Sequence, residues 1–318
     1  MRSPGPVRAA AFAVLVAFAC TASDAAPIVA VDDAGRTLTL ARPAARVVTL
    51  APSLTELVFA AGGGGAVVAT DSSSDYPAAV RSLPRVGDAA RLDVERIVAL
   101  QPDLVVVWRH GNTTREIDQL EAIGLHVFRL EPQRLDEVSR AIERLGVVLG
   151  HEATARSAAE ALRAALGRLR DRYAKAAPVR VFYQVWSSPL MTVNRGQIVN
   201  DVIELCGGRN VFASLAPLVP QVSTEAVLAA GPEVILTSDE LGAGALLRRD
   251  AGAAALAVWR RHATLAAVKG GWLYTLNGDA ISRQGPRIVD GATAVCAALD
   301  EVRRERGPAS PASASPPR

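Results

Sequence analysis

Trp108, Arg109 and His110 directly follow the apolar run 104–107, and Trp186 directly follows the run 179–185. Ser72 and Ser73 come after 66–69, Asp239 and Glu240 after 234–237, and Asn277 and Asp279 after 272–276. Aromatic faces beside polar groups at the ends of apolar runs suit the wall of a binding cleft. There the ring covers apolar surface and the polar atoms fix orientation. Catalysis finds no matching constellation. The four histidines, His110, His126, His151 and His262, are far apart and show no metal-ligand spacing. No G-x-S-x-G elbow and no P-loop occurs. The glycines at 62–65 follow a helical stretch, whereas a dinucleotide-binding glycine loop sits between a strand and its helix. The expectation is a protein with no catalytic set and no metal set. His110 reads either as a solvated loop residue or as a ligand to a metal or haem iron.

Strand ends meet on one face only if the apolar runs lie parallel, and the sequence carries the unit for that twice. Residues 94–107 and 224–237 each run from an amphipathic helix led by a glutamate (Glu95, Glu225), through Pro102-Asp103 or Pro232-Glu233, into a β-branched apolar strand. Proline ends the helix, since it lacks an N–H and disfavours helical geometry just before it. The apolar run suits a strand buried on both faces. A second pair, 55–63 and 200–208, reads as helices closed by glycine. Both pairs come in the same order at similar spacing, which implies an α/β protein of two related lobes with parallel sheets. Residues 152–173, rich in Ala, Leu, Arg and Glu, read as one long helix joining them, stiff enough to limit hinge closure. The expected boundaries are 27–150 and 177–304 for the lobes, 151–176 for the connection and 305–318 for a disordered Pro, Ala and Ser tail. Residues 28–40 predict a hairpin and 286–302 the last helix. Ser53 and Glu56 stand in a capping-box pattern at a helix start. Ligands of such folds bind beyond the carboxyl ends of the strands. Glu95 and Glu225 are either first-turn acids against helix dipoles or, from their matched places, a shared docking pair.

The 318 residues suffice for a sizeable core, and half of them are apolar. A net charge of +3, with arginines scattered among acids, argues against a nucleic-acid partner. Arg2 and Arg8, the apolar run 9–19 and the small residues Ser23-Asp24-Ala25 read as a cleaved export leader over 1–25. A lipidated Cys20 is the alternative to cleavage beyond it. Without Cys20, Cys206 and Cys296 remain as an even pair, either a disulfide favoured by an oxidising compartment or two separate buried thiols.

Several runs together resemble a known family: Ser74-Asp75-Tyr76-Pro77, Glu95-Arg96-Ile97-Val98-Ala99-Leu100, Pro102-Asp103-Leu104-Val105, Trp108-Arg109, Cys206-Gly207-Gly208, Pro220-Gln221-Val222-Ser223 and Pro286-Arg287-Ile288. From residue 44 to 302 the chain is similar to the periplasmic binding proteins of ABC importers for cobalamin, haem and ferric siderophores. That resemblance implies class III architecture: two rigid Rossmann-like lobes on a helical spine, a ligand in the cleft and no catalysis. It implies a monomer with no cofactor, which carries cobalamin or a related corrinoid, or alternatively haem or a siderophore, to a permease dimer with ATPase subunits. Glu95 and Glu225 would meet arginines of that dimer. Trp108 would pack on the corrin, with Tyr76 at the same ligand, and Trp186, extra to the family's pattern, would stand in there for lost aromatics. Asp279 and Arg283 would hydrogen-bond its polar periphery. Cys206 and Cys296 match the family's disulfide. The chain departs from the cobalamin-binding pattern at Ser73, Ala89, Met191 and Val219, where further aromatics face the corrin.

Overall fold

The computed structural model describes residues 26–241, 244–249 and 253–307. The expected leader at 1–25 with Cys20, and residues 308–318 of the expected tail, lie outside them. The chain opens with the antiparallel hairpin β1 (Ile28–Val31) and β2 (Thr37–Leu40), where Asp32 accepts the turn N–H groups of Ala34 and Arg36. The first lobe follows as β3 (Val47–Thr49), α1 (Pro52–Ala60), β4 (Val67–Thr70), α2 (Val94–Ala99), β5 (Leu104–Trp108), α3 (Thr114–Ala122), β6 (Val127–Leu130) and α4 (Leu135–Leu149). Helix α5 (Glu152–Tyr173) connects the lobes over the span that its composition predicts. The second lobe runs through β7 (Val179–Gln184), the short pair β8 (Trp186–Ser187) and β9 (Leu190–Met191), α6 (Ile198–Leu205), β10 (Gly208–Asn210), α7 (Thr224–Ala230) and β11 (Val234–Asp239). It ends with β12 (Leu247–Arg249), α8 (Ala266–Lys269), β13 (Leu273–Asn277), α9 (Gly278–Ser282) and α10 (Ile288–Arg306).

The two parallel sheets share one topology. The first has the order β4-β3-β5-β6 and the second β10-β7-β11-β13, so counting strands within each lobe gives 2-1-3-4 both times. The strands of the two sequence repeats, β5 and β11, occupy the same third place. The second sheet departs from the all-parallel expectation at its edge, where β12 pairs antiparallel with β13. Helix α10 starts later than the expected 286 and runs to Arg306, past the expected lobe boundary at 304.

Alternation along the strands sets the layers. Val106 points into one buried cluster, and Val105 and Val107 point into another. The second cluster covers the outer face of the first sheet with Ile97 of α2 and Leu120 of α3. A third covers the outer face of the second sheet with Val227 of α7, Trp259 and Leu265. The inner faces of both sheets drain into a single cluster. It holds Leu57 of α1, Ile142 and Leu145 of α4, Leu162 and Leu166 of α5, Ile203 of α6, and Val295 and Leu299 of α10. The lobes are therefore fused through one apolar layer. Cys206, at the end of α6, forms a disulfide with Cys296 of α10 within it.

Candidate ligand-binding cleft

In a sheet of order 2-1-3-4 the crevice opens where the strand order reverses, between the first and third strands. In the first lobe that point lies between β3 and β5, so Trp108, the last residue of β5, stands at it. Its N–H donates to Asn112 Oδ1 at 2.8 Å, and Asn112 Nδ2 donates to the Leu50 carbonyl beyond β3 at 3.1 Å. The half-buried indole lies over Gly111, where an added Cβ would sit 1.8 Å from the ring, so only glycine fits. Trp108 Nε1 donates to Glu131 at 3.2 Å, and the second oxygen of that carboxylate bonds His110 Nδ1.

The loop after β4 adds the second part of this wall. Thr49, Thr55 and Ser74 form a buried hydroxyl chain, with oxygens 2.6 and 2.8 Å apart. Ser74 bonds Asp71, which also accepts the Ser73 N–H at 2.9 Å. Burial pushes the Asp71 carboxyl up, and the Ser74 and Ser73 hydrogen bonds and the Arg85 charge offset that only in part. Ser73 and Tyr76 are carried on this fixed loop and are exposed. Ala89 is also exposed, on a turn where Asp88 accepts the N–H groups of Ala90 and Arg91 at 2.9 Å.

The opposing wall belongs to the second lobe, whose switch point lies between β7 and β11. Just past β7, Trp186 is 62% exposed and pairs in register with Met191. Met191 bridges to Gln221, which brings half-buried Val219 near the same hairpin. At the end of β13, Asn277 caps α9 by accepting the Ala280 N–H at 3.1 Å, and this sets Asp279 on the first turn.

The walls meet in an ion cluster. Glu56 of α1 is buried, its side chain 1% exposed. Arg287 holds it with two bonds, Nη2 to Oε1 at 2.6 Å and Nε to Oε2 at 2.9 Å, and Arg283 Nη1 adds a third at 3.1 Å. Arg283 also reaches Asp75 and Asp279, both at 2.7 Å. The Arg287 guanidinium lies 4.4 Å from the Tyr76 ring centre, within cation–π range. Burial alone would raise the Asp75 carboxyl, but the hydrogen bond and charge of Arg283, with Arg287, leave it below its ordinary range. Burial disfavours the charge on Arg283, yet its bond to Asp75 and the charge of Asp279 hold it above the ordinary value.

This corrects the capping-box expectation. Helix α1 is capped at Ala51 without a side-chain bond, and Glu56 turns across to the opposite lobe. Glu56 and Arg287 were not among the expected site residues. The structure supplies the reason: every residue of α1 from Ser53 to Val58 is buried, and a carboxylate in such a helix needs a charged partner. Arg283, expected at the ligand periphery, is 15% exposed and largely committed to carboxylates. The structure thus gathers Tyr76, Asp279 and Arg283 in one cluster and places Trp186, Met191 and Val219 along one hairpin. Trp108 and His110 join Glu131. Cavities of about 740 and 940 Å³ lie elsewhere, one at the end of α5 beside Arg134 and Asp201, the other beside Glu95 and Glu116. Neither is lined by the aromatic residues of the strand ends.

Two like lobes joined by one long helix and ion-paired to each other at Glu56, Asp75, Arg283 and Arg287 make this a substrate-binding protein of class III architecture. The profile of the family described as periplasmic binding protein matches residues 47–280, and the chain belongs to that family. It is 37% identical over 262 residues to a vitamin B12-binding protein of Yersinia pestis, covering 82% of this chain and 89% of that one. Among solved structures it is similar to the periplasmic vitamin B12 binding protein BtuF of Vibrio cholerae. The TM-score is 0.72 at 36% identity, covering 82% of this chain and 98% of that one. The periplasmic heme-binding protein RhuT of Roseiflexus sp. RS-1, in apo form, gives a TM-score of 0.70 at 26% identity, covering 81% and 99%.

Proposed function

We propose that this protein captures cobalamin in the interlobe cleft within the periplasm and delivers it to an ABC importer. The observation that carries this reading is Trp108 at the switch point, an indole on a glycine shelf, together with the exposed carboxylates Asp75 and Asp279 of the cluster where the lobes meet. A corrin offers a broad apolar ring edged by amide N–H donors. The ring suits Trp108, Tyr76 and Trp186, and the amides suit Asp75 and Asp279, whose side chains remain 51% and 38% exposed. In the cluster three carboxylates face two guanidiniums, which favours donors over a carboxylate-bearing ligand. Ser73, Ala89, Met191 and Val219 complete the lining as small or flexible surfaces, and Arg283 contributes what its ion pairs leave free. The cleaved leader at 1–25, a lone monomer and the permease dimer with its ATPase belong to the same reading. Among the described residues no helix is long and apolar enough to cross a membrane.

Calorimetric titration of the exported protein with cyanocobalamin should give one-to-one, sub-micromolar binding. Trp108→Ala should weaken it by about 30-fold, or ~2 kcal/mol. No heat at micromolar concentrations would overturn the reading. Exposed His110 supports a second reading, haem binding. A Soret shift abolished by His110→Ala, with no cyanocobalamin binding, would favour it.

A further inference from the structure

Glu131 lies just past the end of β6, and its carboxylate serves two partners at once. One oxygen accepts the Trp108 indole N–H at 3.2 Å, and the other bonds His110 Nδ1. The carboxylate is 9% exposed and the imidazole 62%. The support continues downward. The Glu131 N–H donates to Asp33 Oδ2 at 2.6 Å, and Arg144 Nη2 reaches the other Asp33 oxygen at 2.5 Å. An imidazole whose Nδ1–H donates a hydrogen bond to a buried carboxylate is fixed in one tautomer. It presents the Nε2 lone pair outward. Among the described residues no hydrogen bond engages Nε2. This is the build of a metal-ligating histidine, placed on the strand-end face two residues from Trp108.

No group of three His, Cys, Asp or Glu among the described residues could hold a metal ion. One prepared histidine therefore fits a metal that arrives with its other ligands in place, as the metal of a macrocycle does. We propose that His110 Nε2 coordinates the cobalt of a bound corrinoid by displacing an exchangeable axial water, with Glu131 as the positioning residue. This rests on the corrinoid reading above. The Nε2–Co bond forms as the Co–OH2 bond breaks, and the water leaves. Cobalt stays trivalent, and the Nδ1 proton stays between His110 and Glu131. The protein then distinguishes corrinoids by axial ligand, since cyanide is held too firmly to be replaced.

The exported protein is titrated with aquocobalamin and with cyanocobalamin, reading absorption spectrum and affinity. Wild type should shift the aquocobalamin spectrum on binding and leave that of cyanocobalamin in place. His110→Ala should abolish the shift while still binding cyanocobalamin, which also reports that the variant is folded. Glu131→Gln should weaken aquocobalamin binding about 10-fold. His126→Ala, at the far end of β6, should keep the shift. The proposal falls if both corrinoids bind without an aquocobalamin shift, or if the shift survives His110→Ala. If neither corrinoid binds, the cobalamin reading falls and takes the proposal with it.

Discussion

Glu56 brings a buried negative charge to the seam between lobes, where Arg287 grips both of its oxygens and Arg283 one. An ion pair of this kind is not in itself strong support for stability, because desolvation offsets much of the attraction. Removing one partner is different, since it strands the remaining charge. Glu56→Gln should lower unfolding free energy by about 3–5 kcal/mol in chemical denaturation. A loss below about 1 kcal/mol would show that the arginines are satisfied by Asp75 and Asp279 alone. Asp201 plays a comparable part between α6 and the start of α4. Its Oδ2 accepts the Leu135 N–H at the start of α4 at 3.2 Å, and Arg134 closes on Oδ1 at 2.6 Å. A carboxylate of the second lobe thus caps a helix of the first. Burial pushes that carboxyl up, more than the Leu135 and Arg134 contacts lower it.

At the scale of elements, α2 and α7 are built alike. Asp93 accepts the Arg96 N–H at 2.9 Å and Ser223 accepts the Ala226 N–H at 3.1 Å, each capping its helix. Glu95 and Glu225 each stand second after the cap and are exposed. The Glu225 backbone N–H and the Ser223 hydroxyl hold its carboxyl below the ordinary range. We infer that the pair meets basic groups of the permease, where charge sets orientation and association rate more than affinity. The variant Glu95→Lys with Glu225→Lys should lose cobalamin uptake in cells while the purified protein binds cyanocobalamin as before. Unchanged uptake would rule out the docking role. These repeats were legible because each couples a helical period to an apolar run of several residues. β8, β9, β10 and β12 were not, since strands of two or three residues carry no period to read. Glu56 was misread for a different reason. Ser-x-x-Glu at a helix start fits a local cap, and only the packing of both lobes shows that the carboxylate faces Arg287. The strand-end positions of Trp108 and Asp279 were legible because each follows an apolar run.

For the whole molecule the governing feature is the apolar layer that both sheets share. Leu57 and Ile142 from the first lobe, Leu162 and Leu166 from α5, and Ile203 and Leu299 from the second are buried in one cluster. Each lobe repeats the other's topology, yet neither has an inner core of its own to retreat to. Cutting the chain after α5 would expose that layer on both fragments. The protein should therefore melt as one cooperative unit, with a single calorimetric peak whose measured and van't Hoff enthalpies agree. A fragment spanning 177–307 should fail to fold alone. Two separable peaks would mean that the halves stand independently. A chain duplicated in topology but single in its thermodynamics has little room for large swings between lobes, and it must take its ligand without a wide closure.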